Sequence, residues 1–245
     1  MGRATQQAVI LQDRQDWGPL LRVVRKVLIL VVVLGAVFML VQTLSRPDLL
    51  PINRIKAQGS FTHVTEAMLQ TALGTIDAGY FSVNVKQIQQ QVEALPWVDK
   101  AVVRRVWPDV LAIRIVEQEP VALWKSGGLV NKRGELFYPA EQSYPSRLPV
   151  LSGPEGASKQ LLSNFIAVRE ALLQVNLQTV RVDMDARRAL TVWLNNGTKL
   201  VLGRNEAMQR LQRFVRIYPG VLAIEGDNIE RVDMRYTNGF TIKRK

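Results

Sequence analysis

The stretch VDKAVVRRVWPDVLAIRIVEQEP, residues 98–120, decides the fold of the first module of this chain. Trp107, Pro108 and Asp109 stand between two apolar runs, and this combination is typical of a tight bend. After the bend, Leu111, Ile113 and Ile115 alternate with the period of a half-buried strand. The sequence therefore predicts a β-hairpin.

Two amphipathic helices and one more strand precede this hairpin. The segment INRIKAQG, residues 52–59, alternates like a strand. The first helix follows Thr65, a favourable N-cap residue, and ends at Gly74, whereas the second helix is stopped by Pro96. The order strand, helix, helix, strand, strand predicts a small α+β module over residues 52–120, with two helices on one face of a three-stranded sheet.

The pattern changes at residue 121 to short strands separated by turns. Such a run of hairpins predicts a second, mainly antiparallel β domain over residues 121–245. Apolar residues at helical spacing place two flanking helices in this domain. One contains Leu161 to Leu172, and the other runs from about Asn205 to Tyr218.

Two turns of this domain, NNG at 195–197 and TNG at 237–239, are flanked on both sides by apolar residues at even positions. A two-residue loop would send the two apolar sets to opposite faces. We therefore predict three-residue loops with Gly197 and Gly239 in the left-handed conformation. The second hairpin would then pair Tyr236 with Phe240 and Met234 with Ile242.

The N-terminal part contains the uncharged stretch VLILVVVLGAVFMLVQTLS, residues 27–45. As a helix it would span about 28 Å, close to the thickness of a bilayer core. Basic residues dominate the preceding tail, 1–26, so the positive-inside rule places that tail in the cytoplasm and everything from the linker 46–51 onward outside. The alternative is a cleaved signal peptide, which the long leader and the absence of a small-x-small cleavage pattern disfavour.

Composition narrows the chemistry. The chain has no cysteine and a single histidine, His63, which disfavours a metal site, and no motif indicates a cofactor. The net charge of +11 suggests nucleic acid as a partner, but the cations are scattered without a basic stripe interleaved with aromatic residues. Glu117 and Glu119 have the spacing of one strand face, and we interpret both as solvated rather than as a glycosidase pair.

Four stretches of this sequence, in the same order, resemble the Gram-negative branch of the FtsQ/DivIB family of bacterial cell-division proteins. They are ALPWVDKAVVRRVWPDVLAIRIVEQEPVALW, LVNKRGELF, NNGTKLVLGRNEAMQRLQRFVRIYP and RVDMRYTNGF. The resemblance implies a POTRA domain over 52–120 and the family's β domain over 121–245, both in the periplasm. It also implies a non-enzymatic divisome scaffold of the inner membrane that helps recruit and control septal peptidoglycan synthesis.

The resemblance further implies the partners FtsB and FtsL at the C-terminal edge of the β domain, and other divisome proteins at the POTRA domain. In the family, FtsB adds a strand at this edge. The matching residues here are Arg235, Tyr236, Asn238, Gly239 and Phe240. A second contact of the family corresponds to Arg187 or Arg188, and the sequence does not distinguish them. The terminal TIKRK lacks the aromatic-containing extension seen in some relatives.

Other interpretations stay open at this point. From alternation alone, Tyr236, Met234 and Phe240 are equally consistent with core residues of a terminal hairpin. A membrane-anchored cell-wall enzyme would require a buried carboxylate or serine site. A POTRA-type chaperone or receptor for envelope protein assembly would be expected to carry tandem POTRA repeats or a transmembrane barrel.

Overall fold

The computed structural model of the chain describes residues 18–44, 50–59, 61–76, 78–225, 228–237 and 239–245. Most of the predicted tail and of the predicted linker, and Asn238, lie outside these residues. The helices in the described part are α1 (Gly18–Leu44), α2 (Glu66–Leu73), α3 (Val85–Glu93), α4 (Ser158–Leu173) and α5 (Ala207–Ile217). A π-helical turn, Tyr218–Leu222, follows α5 directly.

The strands of the described part form two sheets, one with three strands and one with nine. The strands are β1 (Arg54–Gln58), β2 (Val98–Val106), β3 (Val110–Glu117), β4 (Pro120–Trp124), β5 (Leu129–Asn131), β6 (Leu136–Phe137), β7 (Val150–Ser152), β8 (Thr179–Met184), β9 (Leu190–Leu194), β10 (Lys199–Gly203), β11 (Ile229–Asp233) and β12 (Thr241–Arg244).

Helix α1 contains a stretch, Leu21–Thr43, that is long and apolar enough to cross a membrane, with a mean hydropathy of 2.6 over its most apolar window. Its 23 residues would extend for about 34 Å as a helix. The predicted span, 27–45, lies on this helix as far as Leu44. The side chains of Leu21–Thr43 are exposed, as expected for a helix whose surroundings are lipid.

The smaller sheet has the strand order β1-β3-β2 and is accompanied by α2 and α3. This is the predicted arrangement of three strands and two helices. Thr65 caps α2 as predicted, because its Oγ1 accepts a hydrogen bond from the Met68 N–H at 3.3 Å, and Gly74 follows the last helical residue. Leu69 and Leu73 of α2, and Ile88 and Val92 of α3, are buried.

The larger sheet has the order β12-β11-β10-β9-β8-β7-β4-β5-β6. Most neighbours are antiparallel, as predicted, but β4 with β7, β7 with β8, and β10 with β11 are parallel. Buried residues from β8 to β11, such as Val182, Val192, Leu200 and Val232, pack with the apolar residues of α4 and α5 in one core. One face of the sheet is therefore covered by helices.

The chain divides into two compact units. The first comprises the N-terminal part through Ile55 together with Thr75–Asn84 and Arg105–Leu111. The second comprises Lys56–Gly74, Val85–Arg104 and Ala112–Lys245.

Within the second unit, Trp97 contacts both the loop before α2 and a strand of the larger sheet. Its indole stacks on His63 with ring centroids 3.7 Å apart, meets Phe137 edge-on, and donates from Nε1 to Ser143 Oγ at 2.9 Å. Arg133, in the β5–β6 turn, forms ion pairs with Asp99 of β2 and with Glu135. The loop before α2 and strand β2 are therefore joined to the β5–β6 region by ring packing, a hydrogen bond and ion pairs.

Glu117 corrects a prediction. The sequence suggested a solvated carboxylate, but its side chain is buried and accepts the backbone N–H groups of Thr62, His63 and Val64 at 2.9 to 3.2 Å. These donors hold the pKa of Glu117 below its usual range, against the opposing effect of burial. Glu119 is exposed, as predicted, and pairs with Lys132.

The predictions for the two hairpins β9–β10 and β11–β12 have different outcomes. In the first, Leu194 N–H donates to the Thr198 carbonyl at 3.0 Å, and Gly197 has φ 85°, so the predicted three-residue loop with a left-handed glycine is confirmed. In the second, Val232 and not Met234 stands opposite Ile242, and the pairing ends at Asp233 and Thr241. The predicted register, the pairing of Tyr236 with Phe240 and the three-residue loop are therefore wrong. The connection runs from Met234 to Phe240. A shift of two residues keeps every side chain on its predicted face, which is why alternation did not reveal it.

Candidate functional site

Strand β12 forms one edge of the larger sheet within the described residues, and its only strand neighbour there is β11. The Met234 N–H donates to Val201 O of β10 at 2.9 Å, so the backbone groups of Val232 and Met234 point toward β10. Those of Arg231 and Asp233 therefore point toward β12. The backbone groups of their partners on β12, Lys243 and Thr241, point back toward β11.

The alternation leaves Ile242 and Arg244 with their N–H and C=O groups on the open side of the edge. The Lys245 N–H, which donates inward to Asn228 O at 2.9 Å, is consistent with this assignment. An added strand would find its first hydrogen-bonding groups at these two residues.

Tyr236 lies in the connection between β11 and β12 and is 54% exposed. It is therefore not a core residue. Arg213 of α5 holds the backbone beneath it: one terminal nitrogen donates to Thr237 O at 2.5 Å, and the other donates to Met234 O at 3.1 Å and Tyr236 O at 2.7 Å. The guanidinium thus fixes the path of the connection while the tyrosine side chain stays accessible.

The remaining predicted residues of this connection have different environments. Met234 is fully buried in the core, and Phe240 is half-buried and packs against the same core. A Cβ at Gly239 would meet nothing within 4 Å. Asn238 lies outside the described residues.

Arg235 is held by Asp233, whose side chain is buried. Arg235 donates from Nε to Oδ1 at 2.9 Å and from Nη2 to Oδ2 at 2.7 Å. Arg231 also donates from Nη2 to Oδ2, at 2.9 Å. Mainly because of the hydrogen bond from Arg235, the pKa of Asp233 falls to about 2. The carboxylate therefore fixes the direction of the arginine, whose side chain remains more than half exposed.

Arg187 and Arg188 lie in the β8–β9 turn, at the end of the sheet that also contains Arg235. A Cβ at Gly203 of β10 would lie 3.1 Å from Arg235 Cγ, and Gly203 is paired with Leu190 of β9. The turn and β11 are thus separated by two strand spacings, about 10 Å. The structure brings the two predicted contact regions to the same end of the sheet.

The two arginines differ in their own contacts. Arg188 has φ 64° and donates from Nη1 to Gln160 Oε1 of α4 at 2.8 Å. It also lines an open cavity of about 450 Å³ together with residues of α4 and α5. Arg187 is exposed.

A row of basic residues crosses the face of the sheet that the helices leave open. Arg181, Trp193, Lys199, Arg231 and Lys243 are directly opposite one another on five successive strands, β8 to β12. The Trp193 ring lies 4.5 Å from the Arg181 guanidinium and 5.2 Å from the Lys199 ammonium. This row corrects the scattered distribution of cations that the sequence suggested, because pairing of the strands brings four of them into line with an aromatic residue. Arg181, Arg231 and Lys243 each pair with an acidic side chain, so the row is partly neutralised.

Two of the terminal cations, Lys243 and Arg244, are paired within the chain. Lys243 contacts Glu230 at 2.6 Å, and Arg244 contacts Glu225 through two hydrogen bonds at 2.6 and 2.8 Å. These pairs are exposed and lie along the edge strand. A second copy of the chain pairing at this edge would bring like charges together.

Two of these functional contacts were missed from the sequence. Arg213 lies at an ordinary polar position of an amphipathic helix, and nothing around it indicates that it binds carbonyl groups far along the chain. Asp233 has the alternation of an exposed residue, yet it is buried among arginines. The close spacing of Arg231, Asp233 and Arg235 is the one signal in the sequence that could have indicated this ion-pair cluster.

An apolar helix long enough to cross a membrane, a small α+β domain and a larger, mostly antiparallel domain together define the architecture of a protein with one candidate membrane anchor and two folded modules. The chain matches two family descriptions in this order. Residues 50–118 match the POTRA domain, FtsQ-type, and residues 122–235 match the C-terminal domain of cell division protein FtsQ/DivIB. The chain belongs to the FtsQ/DivIB family of cell-division proteins.

Individual relatives support the same conclusion. The cell division protein FtsQ of Coxiella burnetii is 34% identical over 204 residues, which cover 83% of this chain and 84% of that protein. FtsQ of Allochromatium vinosum is 34% identical over 227 residues, 92% of this chain and 90% of the relative. FtsQ of Shewanella oneidensis is 36% identical over 207 residues, which cover 84% of this chain and 78% of the relative. Neither family description names an enzyme.

Proposed function

We propose that this chain is a non-enzymatic scaffold of the divisome that binds FtsB and FtsL by strand addition at β12. Its tail, 1–26, would lie in the cytoplasm, and the POTRA domain, 52–120, and the β domain, 121–245, in the periplasm. At the septum it helps recruit and control peptidoglycan synthesis, with the POTRA domain contacting other divisome members. Membership of the FtsQ/DivIB family supports this role.

The observation that carries the proposal is the open edge beside an exposed aromatic residue. Ile242 and Arg244 present backbone groups on the side of β12 that has no neighbouring strand among the described residues, and main-chain hydrogen bonds to a partner strand supply affinity in β-augmentation. Tyr236 lies at the end of that edge and is accessible as an anchor. Arg235, fixed by Asp233, adds a directed cation.

The first test uses the full chain in lipid nanodiscs and the extracytoplasmic segment of FtsB. Tyr236→Ala is compared with Tyr138→Ala, because Tyr138 is similarly exposed (63%) but follows β6 at the other edge of the sheet. We expect Tyr236→Ala to weaken binding by about 2 kcal/mol or more, the loss typical of an interface anchor, and Tyr138→Ala to leave it unchanged.

A second pair of variants tests strand addition itself. Ile242→Pro removes an outward N–H while leaving the inward ladder to β11 intact, and Ile242→Ala removes only the packing of the side chain. We expect the proline variant to bind about tenfold or more weakly than the alanine variant, because one backbone hydrogen bond is lost and its acceptor stays unpaired. Equal binding by the two variants contradicts β-augmentation at this edge.

A further inference from the structure

Three aromatic side chains in the first compact unit form an exposed ridge. Tyr80 packs edge-on against both Phe81 and Trp107, with ring centroids 5.2 and 5.4 Å apart. Trp107 is 63% exposed and Phe81 is 46% exposed. We call Tyr80, Phe81 and Trp107 the aromatic ridge. Val106, next to Trp107, is exposed as well.

The ridge is joined by hydrogen bonds to the segment that leaves the apolar helix. The Tyr80 N–H donates to Leu50 O at 2.8 Å, and Pro51 forms an antiparallel bridge with Gly79. At the hairpin tip, Asn53 N–H donates to Asp109 O at 3.1 Å. The last residues of the linker and the first residues of the POTRA domain therefore lie directly against the two loops that contain the ridge.

Chain length limits how far the ridge is from the membrane. The candidate span ends at Thr43, and seven residue steps separate it from Leu50. A fully extended chain covers about 25 Å in seven steps, and less in any other conformation. The loop bonded to Leu50, which contains Tyr80 and Phe81, is thus held within about this distance of the bilayer boundary, on the side of the membrane where the linker emerges. The hairpin tip is bonded to Asn53, three residue steps further along the chain.

The chemistry of this surface fits the interfacial region of a bilayer. Tryptophan and tyrosine are enriched at that depth, where the ring is apolar and its edge is polar. Two exposed cations accompany the ridge: Arg54, which pairs with Asp109 at 2.8 Å, and Arg105, which donates to Val83 O at 2.7 Å. Arginines of this kind contact lipid phosphates while their stems lie on apolar surface.

We propose that the aromatic ridge inserts into the headgroup region of the membrane that the chain's own helix spans, with Arg54 and Arg105 contacting lipid phosphates. The ridge and the helix then form two points of attachment. Two points of attachment restrict the tilt and rotation of the POTRA domain more than one point does. The proposal concerns lipid contact and does not depend on the binding of FtsB or FtsL.

The absence of cysteine in the chain makes a direct test simple. A single cysteine is introduced at Val106, which is 39% exposed, or at Val180, which is 45% exposed and lies on β8 of the larger sheet. Each variant, as full-length protein, is labelled with a nitroxide and reconstituted into nanodiscs of zwitterionic and anionic lipid. Collision rates with oxygen, which concentrates in lipid, and with a nickel complex, which stays in water, are measured for both labels.

We expect the label at position 106 to be shielded from nickel and accessible to oxygen, and the label at position 180 to show the reverse. Adding Phe81→Ser and Trp107→Ser should return the label at position 106 to water. The exposed pair Tyr138→Ser and Ile224→Ser, which lies outside the ridge, should not. Thermal unfolding of each variant confirms that the fold is retained.

Equal nickel accessibility at positions 106 and 180 in the otherwise unchanged chain overturns the proposal. The ridge would then lie in water when only lipid is present, and any partner of it would be a protein. Co-migration of the chain with the discs reports on α1 separately, so failure of the ridge to insert is distinguished from failure of the helix to anchor.

Discussion

Replacing Arg213 with alanine should loosen the Tyr236 connection and lower the stability of the larger domain. The arginine donates to the carbonyl groups of Met234, Tyr236 and Thr237. Met234 is buried, so its carbonyl loses a charged donor that water replaces poorly. Tyr236 and Thr237 are exposed, and their carbonyl groups would be hydrated again.

The magnitude follows from this difference. A hydrogen bond from a charged group to a buried acceptor contributes about 1.5–3 kcal/mol, whereas an exposed one contributes closer to about 0.5 kcal/mol. The sum for the three bonds is about 3 kcal/mol in the free energy of unfolding. Arg213→Lys should recover only part of it, because one ammonium group does not reach three carbonyl groups in the arrangement of the guanidinium.

The assay is equilibrium unfolding in urea, with Arg216→Ala as the matched control because Arg216 is exposed on the same helix. Binding to the FtsB segment is measured alongside. We expect weaker binding by Arg213→Ala, since a disordered connection must be ordered again in the complex at about 1 kcal/mol or more per residue. An Arg213→Ala chain with the stability and the affinity of Arg216→Ala would refute the assigned role of the guanidinium.

Four further outcomes are expected. The pKa of Asp233 is lowered to about 2, so its ion pairs stabilise the fold above about pH 4 and are lost as the pH falls toward 2. The free energy of unfolding should fall by about 2 kcal/mol over this range. Asp233→Asn should remove this part of the acid transition in urea titrations at several pH values. Glu117→Gln should cost about 2 kcal/mol, because one charged acceptor of three N–H groups is neutralised, whereas Glu119→Gln should be neutral in the same unfolding assay. Gly197→Ala should cost about 1 kcal/mol from backbone strain alone, since a Cβ meets no close backbone atom there, and Gly197→Asn should cost less by thermal unfolding. Binding of FtsB should weaken by less than about tenfold between low and high salt in titration calorimetry, because the edge cations are already paired.

The sequence predicted the element order and the two sheets because these depend on local patterns. Thr65 and Gly74 bound a helix through their own backbone and side-chain chemistry, and Gly197 closes a loop that flanking alternation defines. The same alternation failed at the last hairpin. Val232 and Met234 have the same parity, so either of them opposite Ile242 puts the apolar set on the core side. In the register that the structure adopts, Arg213, which is distant in sequence, donates to the Met234 carbonyl.

The candidate site was predictable only in part for a related reason. The resemblance identified Tyr236 and Arg235, and the structure adds what holds them in place: Arg213 under one and Asp233 beside the other. Glu117 shows the same limit in the smaller domain. Its spacing with Glu119 suggested two equal residues of one strand face, but only Glu117 meets the backbone N–H groups of residues 62–64. Such long-range acceptor and donor pairs leave no periodic trace in a sequence.

The pairing of the terminal cations changes how the edge is expected to select a partner. The sequence TIKRK suggested a basic strand that attracts an acidic segment. In the structure, Lys243 and Arg244 are each engaged by a glutamate of their own domain, so an acidic partner must displace Glu230 or Glu225 to gain a contact. Exposed exchanges of this kind contribute little. We therefore expect selection to depend on the backbone groups of Ile242 and Arg244 and on the fit around Tyr236, and the charges to act mainly against pairing between two copies of the same edge.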